Sequence, residues 1–303
     1  MSAWLADASG GFRFALPLID FGIGSSRACA RPVATESLRF GAASEWTEAG
    51  SRFPFAILRF PMAELPPDRL RKVGGPSDEE TFVRVGKKWR ARLEAYGLRP
   101  EDRVLDAGCG SGRIAMALTS YITTGSYEGF DVSAPMLRWC EENITPAHPN
   151  FHFQVADVYN RRYNPRGSSK AADYIFPYAD SSFDFAFLTS VFTHMFPPDV
   201  DHYLGELARV LRPGGRCVAT YYLLNDQTEA AIAKGTWPKF RHRRPGYRFT
   251  KWRQKEGSIA LDEPDVRAMY ERHALTIDDV RYGSWAGGPN DTGQDVIAAT
   301  RRA

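Results

Sequence analysis

The chain has 303 residues, a formal net charge of +3, 43% hydrophobic residues and 25% charged residues. This length and composition are those of a folded globular protein, and they exclude a disordered or collagen-like chain. Apolar runs stay well short of the roughly 20 residues that a membrane-spanning helix needs. The first residues hold no basic cluster typical of a secretory signal, so a cytoplasmic location is expected.

Four cysteines, at positions 29, 109, 140 and 217, are scattered without a Cys-x-x-Cys pair. This spacing favours neither a disulfide framework nor a zinc site, and the histidines also lack the spacing of metal ligands. We therefore predict no metal site.

The first 75 residues give the least regular pattern. Residues 12–18 and 53–61 alternate like strands, but prolines interrupt both segments, which favours edge strands or irregular cover. We predict an N-terminal extension over residues 1–75, with three open interpretations: an accessory substrate or dimer element, a partly ordered tail, or a lid. Residues 76–303 are predicted to form the cofactor-binding domain.

A helix is predicted from about residue 77 to residue 97. Ser77 is a suitable N-cap, acidic residues follow in the first turn, and Gly97 is a typical helix end. Apolar residues at helical spacing predict a buried stripe: Phe82, Val85, Trp89, Leu93 and Tyr96.

The segment Arg-Val-Leu-Asp-Ala-Gly-Cys-Gly-Ser-Gly at residues 103–112 is the most informative in the chain. Its apolar strand ends at Asp106, glycines follow at every second position, and an apolar helical pattern comes next. Because glycine has no Cβ, such a turn brings backbone N–H groups against a ligand, and a nucleotide-like cofactor is expected. A dinucleotide fold would place its third glycine where Arg113 stands, so an NAD-dependent oxidoreductase is disfavoured.

Two further strands end in acids at the interval that a strand, a turn and a helix require. Residues 127–133 predict a second strand ending at Asp131, 25 residues after Asp106. Residues 151–158 predict a third strand ending at Asp157, 26 residues after Asp131. A carboxylate at a strand tip can accept hydrogen bonds from both hydroxyls of a ribose, as in dinucleotide folds.

The remaining strands complete the predicted sheet. Residues 183–190 and 207–216 predict a fourth strand and a helix–turn–strand unit, and residues 263–300 predict a terminal helix with two last strands. Two insertions, 159–180 and 225–262, leave from strand carboxyl ends, where open α/β sheets bind ligands.

These motifs, in this order, resemble those of the class I S-adenosylmethionine-dependent methyltransferases. The likeness covers residues 82–225 well and residues 263–301 loosely. It implies an α/β, Rossmann-like fold with a doubly wound, seven-stranded sheet that is mostly parallel and has an antiparallel last strand. To this sheet the prediction adds the N-terminal extension and a basic flap, the insertion 225–262, after the fifth strand. It also implies S-adenosyl-L-methionine as the cofactor and S-adenosyl-L-homocysteine as its product.

The resemblance implies a set of cofactor-binding residues: Asp106, Gly108, Gly110, Gly112, Arg113, Asp131, Met136, Asp157, Val158 and Thr189. Asp131 is expected on the ribose hydroxyls and Asp157 on the adenine amino group. Arg113 is interpreted either as a partner of the methionine carboxylate or as an exposed residue of the first helical turn. Met136 is interpreted either as an adenine contact or as a core residue.

Methyl transfer from a sulfonium needs the acceptor and the methyl group held close together, and a hydroxyl acceptor also benefits from a base. His194, just past the fourth strand, is the candidate catalytic base, and a local structural role is the alternative. The chain lacks the Asn/Asp-Pro-Pro-aromatic run of enzymes that methylate nucleobase amines and the Pro-Cys nucleophile of those that methylate cytosine carbon. Oxygen, or an unconjugated amine, is therefore the expected acceptor atom.

The stretch from Lys234 to Lys255 holds nine Lys or Arg residues and five aromatic residues but no acid. Such a flap can bind an anionic substrate, stack a sugar or base, or contact a membrane surface, and a solvated loop is the alternative.

We therefore predict a methyltransferase that acts on oxygen of a small-molecule or glycan-type acceptor, anionic ones included. An RNA methyltransferase is the second interpretation, because basic residues with aromatics bind single strands, whereas the net charge is only +3. A non-catalytic S-adenosylmethionine-binding regulatory protein is the third. The sequence indicates neither the acceptor's identity nor the oligomeric state.

Overall fold

A computed structural model describes residues 64–72, 78–161, 163–235, 238–252, 257–289 and 291–303. Most of the predicted extension, residues 1–63 and 73–75, lies outside these ranges, so its three interpretations stay predictions. Within the described ranges no helix combines the length and the apolar character needed to cross a bilayer.

The described residues form helices and strands that alternate along most of the chain. The helices are α1 Asp68–Arg71, α2 Glu79–Ala95, α3 Arg113–Leu118, α4 Ala134–Asn143, α5 Pro197–Val210, α6 Asp226–Ala233 and α7 Glu263–Arg272. The strands are β1 Arg103–Ala107, β2 Ser126–Asp131, β3 Phe151–Val155, β4 Phe183–Leu188, β5 Leu211–Tyr221, β6 Leu223–Leu224, β7 His242–Arg244, β8 Tyr247–Phe249, β9 Ile259–Asp262, β10 Leu275–Arg281 and β11 Asp295–Arg301.

Seven strands form one sheet in the order β10-β11-β5-β4-β1-β2-β3. Strands β1 to β5 pair in parallel, and β11 is antiparallel to both of its neighbours. The predicted Rossmann-like sheet with an antiparallel last strand is confirmed. The strand order reverses between β1 and β4, and at such a point the carboxyl ends of the strands open a crevice for a ligand.

Side chains alternate across the sheet, so that each face has its own core. On β4, Phe185 and Phe187 pack with the residues of α3 and α4, whereas Ala186 and Leu188 pack with those of α5 and α7. A strand that is buried on both faces needs apolar side chains at nearly every position. This explains the Phe-Asp-Phe-Ala-Phe-Leu sequence of β4.

Helix α2 packs closely against α3. Its N-cap is Asp78, whose carboxylate accepts a hydrogen bond from the Thr81 amide at 2.7 Å; the predicted cap, Ser77, lies outside the described residues. A Cβ at Gly86 would lie 2.5 Å from the carbonyl oxygen of Arg113, so only glycine permits this distance between the two helices. The contact places Trp89 of α2 beside the carboxyl edge of the sheet.

The second insertion is more ordered than a flap. Strands β6, β9, β8 and β7 form a small sheet, and an apolar cluster that includes Phe240 and Trp285 supports it. Part of the positive charge is neutralised, because Arg243 pairs with Asp262 and Arg248 pairs with Glu229.

Candidate functional site

A cavity of about 730 Å³ opens at the carboxyl ends of β1, β2 and β4. Nine of the eleven predicted site residues line it: Asp106, Gly108, Gly110, Arg113, Asp131, Met136, Val158, Thr189 and His194. The two that do not are Gly112 and Asp157. The fold therefore brings most of the predicted cofactor site and the candidate base into one chamber.

The glycine loop between β1 and α3 depends on left-handed backbone. Gly108, Gly110 and Gly112 have φ values of +95°, +56° and +76°. The amides of Gly108 and Cys109 donate to the Phe130 carbonyl at 2.7 and 3.1 Å, which ties the loop to β2. A Cβ at Gly108 would lie 2.3 Å from a methyl carbon of Val191, so this residue is glycine for space as well as for conformation.

Gly112 serves the packing of the loop rather than the cavity wall. It is the N-cap of α3, and a Cβ there would lie 2.9 Å from both the Cys140 sulfur and the Ile144 side chain. Its contribution is the close approach of α3 to α4.

Asp106 is a buried carboxyl group at the tip of β1. Its Oδ2 accepts a 2.6 Å hydrogen bond from the Tyr127 hydroxyl, and its buried Oδ1 has no hydrogen-bond partner among the described residues. Burial raises the pKa of Asp106 to about 8, although the Tyr127 hydrogen bond opposes the shift. A donor or a positive charge placed at Oδ1 would favour the ionised form of this carboxyl.

Asp131 stands at the tip of β2 and faces the glycine loop. Its carboxylate accepts hydrogen bonds from the Gly110 amide at 3.0 Å and the Ser133 amide at 2.9 Å. Burial raises the pKa of Asp131, while these backbone hydrogen bonds act in the opposite direction. The two bonds fix the carboxylate at the cavity wall and leave lone pairs that can accept further hydrogen bonds.

The structure does not bring Asp157 into the cavity with the other two acids. Its carboxylate is exposed and accepts hydrogen bonds from the Ser168 hydroxyl at 2.5 Å and the Ser168 amide at 3.4 Å. These bonds lower the pKa of Asp157 below its usual value. The expected convergence of three strand-tip acids is therefore found for Asp106 and Asp131 only, and Val158 is the residue of this turn that lines the cavity.

Arg113 and Met136 both line the cavity. Met136 is also almost fully buried, so an adenine contact and a core position both stay possible roles for it. The Arg113 guanidinium lies 5.2 Å from the centroid of the Phe82 ring. Arg113 is half-buried rather than exposed, and this burial lowers its pKa.

The turn after β4 is strained. Ser190 has a φ of +61°, which costs a non-glycine residue about 1–2 kcal/mol. Two contacts hold it: its amide donates to the Thr220 hydroxyl at 2.7 Å, and its hydroxyl bonds to Oε1 of Gln294 at 3.1 Å. Such strain is maintained where the surroundings determine the conformation, and it is commonly found at functional sites.

Sequence reasoning missed several residues of the cavity wall. Polar and aromatic members of this set include Lys72, Trp89, Tyr159, Asn160, Tyr163, Lys170, Asp199, Tyr203 and Gln294. Gln294 comes from the connection to the last strand, over 100 residues away from Ser190. Nothing in a single sequence marks such a long-range contact, whereas the residues at 159–170 lie in an insertion that was predicted to border the ligand.

Comparison with known proteins agrees with the fold. Residues 104–215 match the family model described as a methyltransferase domain. The chain is 28% identical over 166 residues to Methyltransferase GfsG of Streptomyces halstedii, covering 53% of each chain. It is 33% identical over 171 residues to a fatty-acid O-methyltransferase of Mycolicibacterium smegmatis, covering 55% of this chain and 46% of that one.

A solved structure adds a likeness of fold alone. The PH0226 protein of Pyrococcus horikoshii OT3 matches with a TM-score of 0.50 and 14% identity, over 74% of this chain and 92% of that one. The chain spans about half the length of the curated relatives that it matches.

The sheet order, the glycine loop and the two strand-tip acids define a Rossmann-like α/β domain that binds a nucleotide-like cofactor. Together with the match of residues 104–215 to a methyltransferase domain, they support a likeness to the class I S-adenosylmethionine-dependent methyltransferases, whose cofactor is S-adenosyl-L-methionine.

Proposed function

We propose that this chain is an S-adenosylmethionine-dependent methyltransferase that methylates oxygen of a small-molecule acceptor. The observation that carries the proposal is one cavity that joins the glycine loop and the acids Asp106 and Asp131 to His194. Binding residues and a candidate base in the same chamber are what a transfer between two bound molecules requires.

The residues at the tips of β1 and β2 fit the cofactor. Asp131, already oriented by two backbone amides, is the acceptor for the ribose hydroxyls. The unpartnered Oδ1 of Asp106 suits the cationic amino group of the methionine moiety, which would satisfy a buried polar atom. When bound, the cofactor supplies an activated methyl group on a sulfonium; the protein supplies position, exclusion of water and a proton acceptor.

His194 is the residue proposed to accept the proton of an acceptor hydroxyl. It ends the short helical turn Phe192–His194 just after β4, and its amide donates to the Val191 carbonyl at 2.9 Å, which fixes the backbone of the turn. A positioned general base contributes typically 10²–10⁴-fold to rate. The name of the M. smegmatis relative, a fatty-acid O-methyltransferase, supports oxygen as the acceptor atom and a small molecule as the acceptor.

The test uses the purified full chain, methyl-labelled S-adenosylmethionine and a bacterial extract divided into small-molecule, RNA and protein fractions. Label in the small-molecule fraction, with release of S-adenosylhomocysteine, is the expected result. Label confined to RNA would instead support an RNA methyltransferase. Tight cofactor binding without transfer to any fraction would favour a non-catalytic regulatory protein.

A further inference from the structure

The first insertion forms a compact loop of its own. The Tyr159 amide donates to the Ser169 carbonyl at 2.7 Å, and the Ser169 amide donates to the Asp157 carbonyl at 3.1 Å. Inside this closure, Asn160 and Asn164 exchange two backbone hydrogen bonds of 3.0 and 2.9 Å. We call residues 157–161 and 163–170 the acceptor loop. Hydrogen bonds between its own backbone groups hold its conformation.

Two residues make this closure tight. A Cβ at Gly167 would lie 2.3–2.4 Å from backbone atoms of Val158 and Tyr159, so no other residue fits without moving the chain. Beside it, the Asp157 carboxylate holds both the hydroxyl and the amide of Ser168. Asp157 thus closes the base of the acceptor loop, which accounts for its absence from the cavity.

The end of the acceptor loop is fixed to helix α5. The Asp173 amide donates to the Lys170 carbonyl at 3.1 Å, beginning the turn Ala171–Asp173. Beyond the turn, a ring nitrogen of His202 lies 2.8 Å from the Tyr174 carbonyl oxygen, and the Glu206 carboxylate accepts the Phe176 amide at 2.6 Å. Lys170 is consequently anchored through its backbone on both sides.

The acceptor loop presents one cation to the cavity. Tyr159, Asn160, Tyr163 and Lys170 all line it, and no ion pair of Lys170 occurs among the described residues. The other lysine of the wall, Lys72, already pairs with Asp68 at 2.5 Å. Asp106 and Asp131 are the acids proposed for the cofactor, and Asp199, the third acid of the wall, accepts a hydrogen bond from the Phe196 amide at 3.2 Å and forms no ion pair with Lys170. The positive charge of Lys170 is therefore available to a second ligand.

We propose that Lys170 binds an anionic group, a carboxylate or a phosphate, on the methyl acceptor, and that Asp157 is a positioning residue that orients the loop carrying it. This inference rests on the proposed function and specifies its substrate: a small hydroxylated molecule with a negative charge. Tyr159 and Tyr163 add aromatic surface, which favours a planar acceptor.

The test compares anionic probes with a neutral one of similar size and shape, with the full chain saturated with S-adenosylhomocysteine. The probes are 4-hydroxybenzoate and its neutral counterpart 4-hydroxybenzamide, with phenyl phosphate to distinguish a phosphate site from a carboxylate site. Titration calorimetry should show one anion binding at least about tenfold tighter than the amide, because a hydrogen bond to a charged group is worth more than one to a neutral group.

Lys170→Met should abolish this preference, and Lys170→Arg, which keeps the charge, should retain most of it. Asp157→Ala and Ser168→Ala should each lower the affinity for the anionic probe several-fold. Both variants should keep the affinity for S-adenosylhomocysteine within twofold of the wild-type value. The proposal would be overturned if the wild type bound all probes with equal affinity or bound none of them. It would also be overturned if Lys170→Met kept the preference for the anionic probe. A protein that fails to bind S-adenosylhomocysteine would instead overturn the proposed function.

Discussion

The hydroxyl of Tyr127 on β2 donates a 2.6 Å hydrogen bond to the carboxyl of Asp106 on the adjacent strand β1. Both side chains are buried, and this bond is the only one that the described residues provide to the Asp106 carboxyl. The cavity proposed for the cofactor is therefore lined by a carboxyl group whose ionisation is opposed by burial.

Stability should reflect this burial. The pKa of Asp106 is raised to about 8 in the folded state, far above the 3.8 of an unperturbed aspartate, so between these values the folded chain holds a proton that the unfolded chain has lost. The contribution of Asp106 to stability is thus present at low pH and lost as pH rises, by up to about 1.4 kcal/mol per pH unit.

Asp106→Asn cannot ionise and removes this dependence. Urea unfolding of both proteins at pH 5, 6, 7 and 8, without cofactor, should show the wild type losing stability relative to the variant at each step. Curves that run parallel across this range would show that Asp106 titrates normally.

Gly108→Ala should damage the cofactor site as well as the fold. A left-handed alanine costs about 1–2 kcal/mol, and its Cβ would displace Val191, which lines the cavity. Gly214→Ala is the matched control, since Gly214 has a φ of +76° but nothing within 4 Å of an added Cβ.

Both glycine variants should lose stability in urea, Gly108→Ala the more because its Cβ also clashes with Val191, whereas only Gly108→Ala should lose more than about tenfold in affinity for S-adenosylhomocysteine. Equal affinities in the two variants would show that the space at Gly108 is not needed for binding.

Asp295 joins the main sheet to the small one. This fully buried residue accepts hydrogen bonds from the amides of Leu223 and Gly283, both at 2.7 Å, and from the indole of Trp285 at 2.9 Å. Asp295→Ala leaves three buried donors without a partner, and each unpaired donor costs about 1–3 kcal/mol. The free energy of unfolding should therefore fall by at least about 3 kcal/mol.

Asp278→Ala on the neighbouring strand is the control for Asp295→Ala. Asp278 is exposed and accepts one hydrogen bond from Thr300, so its loss should change stability by about 0.5 kcal/mol. Similar losses in both variants would contradict the linking role of Asp295.

His194→Ala should lower turnover by about 10²–10⁴-fold on a hydroxyl acceptor. The affinity for S-adenosylhomocysteine should stay within twofold, because the roles proposed for cofactor binding belong to the tips of β1 and β2. Methyl transfer measured at saturating cofactor checks both points. Unchanged turnover would assign His194 the local structural role instead.

The sequence predicts the sheet well because each parallel strand is an apolar run with a marked end. Asp106 and Asp131 end two such runs, and both line the cavity as expected. Asp157 ends a third run by the same criterion, but the bond to Ser168 turns its carboxylate away. A hydrogen bond formed 11 residues later, inside an irregular insertion, has no periodic pattern that could reveal it.

Contacts between distant segments escaped prediction for the same reason. Gln294 reaches Ser190 only because β11 inserts beside β5, and Asp295 reaches Leu223 through the same pairing. Arg243 and Arg248 looked like free positive charge in the sequence, whereas Glu229 and Asp262 neutralise them after folding.

We propose that the cavity binds S-adenosylmethionine with the Asp131 carboxylate on the ribose hydroxyls. Titration calorimetry of S-adenosylhomocysteine against the wild type and Asp131→Ala tests it most directly. We expect one site per chain in the wild type and an affinity at least about tenfold lower in the variant, because two hydrogen bonds to a charged acceptor are lost. Equal affinity in the two proteins would show that Asp131 does not bind the ribose, and no binding to the wild type would show that the cavity is not a site for this cofactor.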